Sequence, residues 1–348
     1  WSCADMLRKE QKLVIHFYEQ IDKLNGKMGH GILRYSENPI ACAIDFNQGG
    51  KTTRDLFEFG PDVPVVSNVE QALGYGGEVL VLGMAPSGGR LPETMVAEVE
   101  QALAAGMCVV NGLHERISDR YANLRAGQWI WDIREEPQGL GIAWARASEL
   151  TNRRLLLVGS DMAVGKMTAG LEIWKSARAQ GIQAEFLATG QIGIAISGRG
   201  IPLDAIRVDY AGGAVEKMVL GAADAALAIV EGQGSLLHPG STSTLPLLRG
   251  ACPTHLILCH RAGMTELDTV GVTVKVPPLN EVIALYEDVA SACGIYPRPV
   301  TVGIALNTAH LNDEQAQRAV SETADATGRL VLDPVRQGCD QWVDALMA

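Results

Sequence analysis

Short runs of apolar residues alternate with amphipathic stretches along almost the whole chain. Continuous apolar runs bounded by turn residues are typical of strands buried inside parallel sheets, and the stretches between them carry the helical period. In the first half, the pattern predicts strands over residues 13–17, 40–45, 78–83, 107–111 and 128–133. In the second half, it predicts strands over residues 154–159, 184–188, 225–230, 255–260, 300–307 and 330–332.

Helical periodicity is clearest over residues 91–105, 165–180, 211–222, 279–292 and 313–327. Apolar strands alternating with amphipathic helices predict an α/β fold, in which helices cover both faces of parallel sheets. A chain of 348 residues has room for two such domains. We expect one domain over residues 1–148 and a second over residues 149–348, because Pro137, Gly139 and Gly141 interrupt the pattern before a short helix.

The charge of the chain narrows the classes of partner. Forty acidic residues against 29 basic ones give a formal net charge of −11, so most of the surface repels nucleic acid and anionic membranes. No apolar run reaches the roughly 18 residues of a membrane-spanning helix, and residues 1–12 carry no signal-peptide core. We therefore expect a small-molecule substrate and neither a nucleic-acid nor a membrane partner. An anionic ligand then needs a local positive pocket.

Seven cysteines are scattered along the chain, without a Cys-x-x-Cys pair or a Cys/His spacing typical of zinc. We expect neither a metal site nor a disulfide framework. Several of these cysteines lie in apolar runs, where they act as small buried side chains. This usage indicates a reducing compartment, and we expect a cytoplasmic protein that assembles as a homo-oligomer.

The segment 155–168 carries the strongest chemical signal. An apolar strand enters a glycine-bounded loop, and a helix follows from about Gly165. Loop amides, the positive end of the helix and the Lys166 ammonium together suit a bound phosphate. The predicted cofactor-binding residues are Gly159, Ser160, Asp161, Ala163, Val164, Gly165, Lys166, Met167 and Thr168.

This loop departs from the usual nucleotide-hydrolysing pattern in two ways. Gly159 lies one residue further from Gly165 than in Gly-x-x-x-x-Gly-Lys-[Ser/Thr], and Met167 replaces the hydroxyl residue that ligates magnesium. A thioether is a poor ligand for Mg²⁺, and Thr168 comes one position later. The departures favour a phosphate-bearing ligand that is not hydrolysed, such as coenzyme A.

Glu231, Lys166, Asp209 and His238 are the candidate catalytic residues. Glu231 ends an apolar strand before a glycine-rich loop, and the carboxyl ends of parallel strands form the ligand edge of a sheet. Its carboxylate can accept a proton or hold a metal, or it can cap the next helix. His238 follows in the same loop and can be a base or a structural histidine. Asp209 precedes a helix and can be an N-terminal cap or an acid.

The first half offers candidate substrate-binding residues. A glycine-rich loop at 83–92 follows a predicted strand and opens a helix, an arrangement that suits a carboxylate and equally suits a plain turn with Pro92 at the first helical position. The predicted substrate residues are Arg90, Pro86, Ser87, Gly88, His114 and Arg34. The Gly29-His30-Gly31 sequence lacks the third glycine of a dinucleotide site, so it gives little support for NAD binding.

Residues 159–168, with Glu231-Gly232-Gln233-Gly234, resemble the dethiobiotin synthetase branch of P-loop proteins. A closer resemblance runs over nearly the whole chain. The segments 29–35, 83–92, 112–119, 159–168 and 231–239, including Gly-Lys-Met-Thr, resemble the two-domain family of D-glutamate N-acetyltransferases, formerly catalogued as a domain of unknown function. That resemblance implies a Rossmann-like N-terminal domain followed by a P-loop NTPase-like α/β domain. It also implies acetyl transfer from acetyl-CoA to the amine of D-glutamate or a similar D-amino acid.

Two other functions stay open at this point. The first is a ligase or kinase of the dethiobiotin synthetase type, which uses ATP with Mg²⁺ on Thr168 and Glu231. The second is a nucleotide-sensing regulator whose N-terminal domain binds a partner. Met167 favours the acetyltransferase over the ligase, because it offers magnesium no hydroxyl.

Overall fold

The computed structural model of the chain describes residues 7–86 and 88–348. Its strands are β1 (Leu13–Tyr18), β2 (Ile40–Asp45), β3 (Val65–Val66), β4 (Val79–Leu82), β5 (Cys108–Asn111), β6 (Ile130–Asp132), β7 (Arg153–Gly159), β8 (Ala184–Leu187), β9 (Leu227–Val230), β10 (His255–Arg261), β11 (Val300–Asn307) and β12 (Val331–Leu332). Its α-helices are α1 (Lys27–Tyr35), α2 (Val69–Ala72), α3 (Glu93–Ala104), α4 (Lys166–Ala179), α5 (Gln191–Ser197), α6 (Val208–Leu220), α7 (Thr244–Ala251), α8 (Leu279–Ser291), α9 (Asp313–Thr327) and α10 (Asp340–Met347).

The first unit contains a parallel sheet in the order β3-β2-β1-β4-β5-β6. Its strands are apolar on both faces because helices cover the sheet on both sides. On one face, Val14, Leu80 and Val109 from the strands pack with Met95 and Val99 of α3. The strand order reverses between β1 and β4, which is the place where ligands enter sheets of this kind.

The second unit contains a parallel sheet in the order β12-β11-β10-β7-β9-β8. The central strand β7 has Leu155, Leu156 and Leu157 fully buried, because it lies between β10 and β9 and is covered on both faces. In α4, Gly170 lies against Phe186 of β8, where a Cβ atom would come within 2.9 Å of the ring. Because the loop to α4 follows the last residue of β7, it lies at the carboxyl edge of the sheet.

The compact units divide the chain in a way that composition does not indicate. Residues up to 136 form the first unit together with 190–205, and residues 137–189 and 206–348 form the second. The predicted boundary between residues 148 and 149 falls inside the second unit. The buried Glu216 carboxylate of α6 holds residues 144–146 in the second unit, since it accepts hydrogen bonds from the amides of Trp144 at 3.0 Å and Arg146 at 2.7 Å.

The segment 190–205 leaves the second unit and packs on the first. Its helix α5 buries Ile194 and Ile196 and lies against α1. Near the end of the segment, the Asp204 carboxylate forms an ion pair with Arg134, which follows β6. The Arg134–Asp204 ion pair and the packing of α5 on α1 thus join residues 190–205 to the first unit, although these sixteen residues are distant in sequence from its sheet.

The α/β class and the two parallel-sheet domains predicted from the apolar pattern are confirmed, and each predicted strand is present. The pattern missed β3, which has only two residues, and the helices α1, α2, α5, α7 and α10. These helices are short, at nine residues or fewer, so few turns repeat the apolar period. Within the described ranges, none of the helices has the length and apolar character that a bilayer crossing requires.

Candidate active site

The phosphate-binding loop predicted from the sequence lies between β7 and α4. Gly159 is the last residue of β7, and Lys166 begins α4. The chain turns at Ala163 and Gly165, which have φ angles of +54° and +105°, a region that glycine adopts at little cost. The first amides of α4 have no helical carbonyl four residues earlier, so the helix presents donors and partial positive charge to the loop.

Lys166 lies inside this loop rather than on the surface. Its side chain is buried, and its Nζ donates a hydrogen bond to the carbonyl oxygen of Asp161 at 2.8 Å. Burial lowers the pKa of the ammonium, while the thiol of Cys259 and the carboxylates of Asp161 and Glu231 act in the opposite direction. The loop therefore holds a cation whose surroundings are short of water, where an added anion interacts strongly.

Asp161 and Ser160 stabilise the loop through their side chains. The two carboxylate oxygens of Asp161 accept hydrogen bonds from the amides of Met162 at 2.7 Å and Asp268 at 2.8 Å. The Ser160 hydroxyl lies 2.8 Å from Nδ1 of His260, at the end of β10. Burial lowers the pKa of this imidazole to about 4, so it is neutral at physiological pH. These contacts hold the backbone of the loop in place.

Glu231 follows β9, the neighbour of β7, and the structure brings it close to Lys166. Its carboxylate accepts a hydrogen bond from the amide of Thr189 at 2.8 Å, and its carbonyl accepts one from the Thr189 hydroxyl at 2.8 Å. The next residue, Gly232, lies so close to β7 that a Cβ atom would be 1.7 Å from the carbonyl oxygen of Leu157. Strand pairing and this glycine thus hold a buried carboxylate beside a buried ammonium.

The other two catalytic candidates lie in different surroundings. In His238, Nδ1 accepts a hydrogen bond from the Gly240 amide and Nε2 donates one to the carbonyl oxygen of Asp268, both at 3.0 Å. Both ring nitrogens therefore help to hold the loop after Glu231. Asp209 is exposed in the first turn of α6. Met167 and Thr168 are half-buried in the first turn of α4, about 100° apart around its axis.

In the first unit, two turns that carry predicted substrate residues are linked. The amide of Glu115 donates to the carbonyl of Gly89 at 3.0 Å, and the Glu115 carboxylate accepts from the Leu91 amide at 2.8 Å. His114 packs against Gly89. The linkage brings together the predicted residues Pro86, Gly88, Arg90 and His114. Ser87 lies outside the described residues.

Arg34 is not part of this group. It lies in the last turn of α1, with its guanidinium 5.2 Å from the ring centre of Phe59 and 5.5 Å from that of Tyr35. A helix between two parallel strands runs back towards their amino ends, so the end of α1 lies away from the carboxyl edge. The aromatic contacts give Arg34 a packing role at that position.

Backbone hydrogen bonds join the segments that follow β1 and β4. The amide of Gly29 donates to the carbonyl of Gly83, and the amide of Ala85 donates to the carbonyl of Asn25, both at 2.7 Å. A Cβ atom on Gly29 would lie 2.3 Å from the Phe17 ring. Dinucleotides bind at this switch point in Rossmann proteins, and in this chain the segments that follow β1 and β4 meet there.

A cavity of about 210 Å³ lies instead at the carboxyl ends of β5 and β6. It is lined by Leu113, His114, Glu115, Arg116, Asp132, Arg134, Glu135 and Glu136. Sequence reasoning found His114 but missed Arg116 and Arg134. The positions of these two arginines could have indicated them, since both follow the ends of predicted strands, where ligand-binding side chains concentrate.

Arg134 is the less exposed of the two arginines that line this cavity. Its Nε donates to the carbonyl of Gly112 at 2.9 Å, and it pairs with the Asp204 carboxylate. One of its terminal nitrogens lies 3.5 Å from Nδ1 of His114. Burial and the neighbouring Arg134 lower the pKa of His114, which favours the neutral form of this ring. Within residues 7–86 and 88–348, no group of three His, Cys, Asp or Glu side chains is arranged to hold a metal ion.

Comparisons with known proteins agree with these two units. Residues 46–136 match the model described as "Domain of unknown function (DUF1611_N) Rossmann-like domain". Residues 141–343 match the one described as "Domain of unknown function (DUF1611_C) P-loop domain". A crystal structure of a DUF1611 family protein from Anabaena variabilis ATCC 29413 is similar, with a TM-score of 0.92 and 48% sequence identity. The match covers 97% of this chain and 99% of that one.

Two curated relatives carry a functional name. A protein of Tritonibacter scottomollicae named D-glutamate N-acetyltransferase is 34% identical over 290 residues, which are 80% of this chain and 84% of the relative. A protein of a Pseudoalteromonas species with the same name is 34% identical over 278 residues, which are 78% of this chain and 82% of the relative. The family models and these relatives together cover both units, and the chain therefore belongs to the DUF1611 family, in which a Rossmann-like domain is followed by a P-loop domain.

Proposed function

We propose that this protein is an N-acetyltransferase that moves the acetyl group of acetyl-CoA to the amine of D-glutamate or a similar D-amino acid. The observation that carries the proposal is the similarity, over about four fifths of the chain, to two relatives named D-glutamate N-acetyltransferase. Their name supports the reaction class most directly. The acceptor is proposed from the relatives' name, and the coenzyme A donor from the chemistry of the loop described above.

The phosphate-binding loop supports coenzyme A as the carrier of the acetyl group. Its amides and the Lys166 ammonium suit the phosphates of a ligand that stays intact. Met167 follows the lysine and offers no oxygen ligand for Mg²⁺. A donor whose phosphates bind to the protein and do not react needs neither magnesium nor phosphate hydrolysis.

Acetyl transfer requires a deprotonated amine, and Glu231 is the proposed base. Its carboxylate accepts one proton from the acceptor ammonium, so that the nitrogen lone pair can attack the thioester carbonyl. The carbon–nitrogen bond forms and the carbon–sulfur bond breaks. The nitrogen loses a second proton as the amide forms, and the departing thiolate takes it, so coenzyme A leaves as the thiol. Lys166 holds the donor, and positioning of the two reactants supplies much of the rate enhancement.

The decisive experiment measures thiol release by the purified protein from acetyl-CoA with D-glutamate. We expect one thiol per N-acetylated product, at the same rate with EDTA and without added ATP. L-Glutamate under the same conditions tests the stereochemistry of the acceptor. Turnover that depends on ATP and Mg²⁺ would contradict the proposal and favour a ligase or kinase with magnesium on Thr168 and Glu231.

A further inference from the structure

The cavity at the ends of β5 and β6 has a composition that selects one kind of ligand. Its volume of about 210 Å³ is below the 300–1,000 Å³ of sites for drug-sized molecules, so it suits a molecule of amino-acid size rather than a nucleotide. Arginine and carboxylate side chains line it together. A simple anion would face the carboxylates, and a simple cation would face the arginines.

Two of the lining carboxylates are already engaged by the fold. Asp132 accepts hydrogen bonds from the Asn111 side chain and from the amides of Ile117 and Ser118. Glu115 accepts from the Leu91 amide and pairs with Arg120. These two groups therefore shape the turns around the cavity, whereas Arg116 and Glu135 are about half exposed.

Arg134 and the pair Arg116–Glu135 differ in how firmly they are held. The Arg134 side chain is 10% exposed and is fixed by Gly112 and Asp204, so its guanidinium is preorganised. Nη1 of Arg116 lies 3.0 Å from the Glu135 carboxylate, and both side chains are about half exposed. Nε of Arg116 has partners of its own, since it lies 3.3 Å from the Asp119 carboxylate and donates to the Ser118 hydroxyl at 3.2 Å. Exposed ion pairs contribute little stability, so a ligand that carries both charges can enter between Arg116 and Glu135 while Nε keeps these contacts.

We propose that this cavity binds the amino-acid acceptor as a zwitterion before its amine is deprotonated, with a ligand carboxylate on Arg134 and Arg116 and the ligand ammonium on Glu135. The identity of the amino acid rests on the proposed function, whereas the location and the zwitterionic class rest on the cavity. Arg134 is then a specificity-determining residue. Insertion of a zwitterion replaces the Arg116–Glu135 pair by two pairs, one between Arg116 and the ligand carboxylate and one between Glu135 and the ligand ammonium, so neither protein charge is left without a partner.

Calorimetry tests the site directly. D-Glutamate is titrated into the full chain in the presence of saturating coenzyme A, with glutarate as the analogue that lacks the ammonium. We expect glutarate to bind at least tenfold more weakly than D-glutamate. Arg134→Gln and Glu135→Gln should each weaken D-glutamate binding about 10- to 150-fold, the range of one charge-assisted hydrogen bond.

Arg54→Gln is the matched control. Arg54 is an exposed arginine of the same unit that also donates to backbone carbonyls, those of Glu58 and Gly60, and its replacement should leave binding unchanged. Because Arg134→Gln also removes the partner of Asp204, Arg116→Gln is measured in parallel, with a thermal melt of each variant. Undiminished D-glutamate binding in folded Arg116→Gln and Glu135→Gln overturns the proposal, as does a wild-type protein that binds no D-glutamate.

Steady-state kinetics separate this inference from the proposed function. We expect the cavity variants to raise the KM for D-glutamate and to leave the KM for acetyl-CoA unchanged. If acetyl transfer occurs and the variants keep the wild-type KM for D-glutamate, the function stands and the site is wrong. If D-glutamate binds and the variants weaken it, but no acetyl transfer occurs, the site stands and the proposed reaction is wrong.

Discussion

The Lys166 ammonium donates to the carbonyl oxygen of Asp161, 2.8 Å away, within the loop that leads into its own helix. The loop thus provides its buried cation with a neutral partner from the same turn. A phosphate is a stronger acceptor than a peptide carbonyl, because its bond to the ammonium is charge-assisted. The loop is therefore built around a cation that gains interaction energy when an anion enters.

Replacement of Lys166 by Ala should weaken the binding of acetyl-CoA. Loss of one charge-assisted contact costs about 1.5–3 kcal/mol, or roughly 10- to 150-fold in the dissociation constant. Isothermal calorimetry with acetyl-CoA measures the effect. The exposed Lys175 of the same helix provides the control, and Lys175→Ala should bind like the wild type. Equal affinity in folded Lys166→Ala would remove the loop from the donor site.

The replacement Met167→Thr should give the loop a magnesium-dependent affinity for ATP. The new hydroxyl follows the lysine directly, which is where P-loop proteins place their magnesium ligand. We expect Mg²⁺ to strengthen ATP binding by about tenfold, or about 1.4 kcal/mol, in the variant and not in the wild type. Met162→Thr places a hydroxyl on an exposed position of the same loop and should not have this effect.

The replacement Gly232→Ala should destabilise the second unit. The added Cβ atom would lie 1.7 Å from the Leu157 carbonyl oxygen and 2.8 Å from Cδ of Lys166, and the first of these atoms is backbone and cannot rotate away. Overpacking of this kind costs about 1–3 kcal/mol or more. Chemical denaturation measures the loss. Gly141→Ala, where a Cβ atom meets nothing within 4 Å, should unfold at the wild-type midpoint.

Acid should lower the free energy of unfolding through His260. Burial holds the pKa of this imidazole at about 4, below the ordinary value of 6.5. Between these values the unfolded chain binds the proton and the folded chain does not, so stability is lost as the pH falls from 6.5 towards 4. His260→Gln should remove up to about 3 kcal/mol of this pH dependence.

Denaturant unfolding at several pH values between 4 and 7 measures that slope. The slope of stability against pH is the readout, because the Ser160 contact of His260 changes the absolute stability as well. Burial also lowers the pKa of His16, His30 and His255, so part of the acid dependence should persist. The same change at the exposed His310 serves as the control. An identical slope in wild type and His260→Gln would contradict the prediction.

Much of this fold could be predicted because its strands are buried on both faces and read as continuous apolar runs. The helix α7 escaped detection because it begins inside a segment, residues 232–250, that is rich in Gly, Ser and Thr, and because Pro246 lies in its first turn. Pro is tolerated at that end of a helix, so the residue does not argue against a helix there. Short elements carry too few repeats for periodicity to identify them.

The closeness of Lys166 and Glu231 followed from the segments that carry them, since both segments begin at the carboxyl ends of parallel strands. The contact of Glu231 with Thr189 did not, because it depends on β8 lying next to β9 in the strand order. The sequence also gave no indication that Arg134 would meet Asp204, seventy positions later. Such contacts depend on which unit a segment joins. The choice of unit depends in turn on packing between residues that are far apart in sequence.

The chain passes from one unit to the other three times, after residues 136, 189 and 205. A truncated protein that begins at residue 137 would therefore keep α5 and lose α1, the helix that covers it. Ile194 and Ile196 would meet water, at about 1.5–3 kcal/mol for each large apolar side chain, and would promote aggregation. Separate expression of the P-loop unit consequently calls for a short turn in place of residues 190–205, and no single cut divides this polypeptide into two self-sufficient halves.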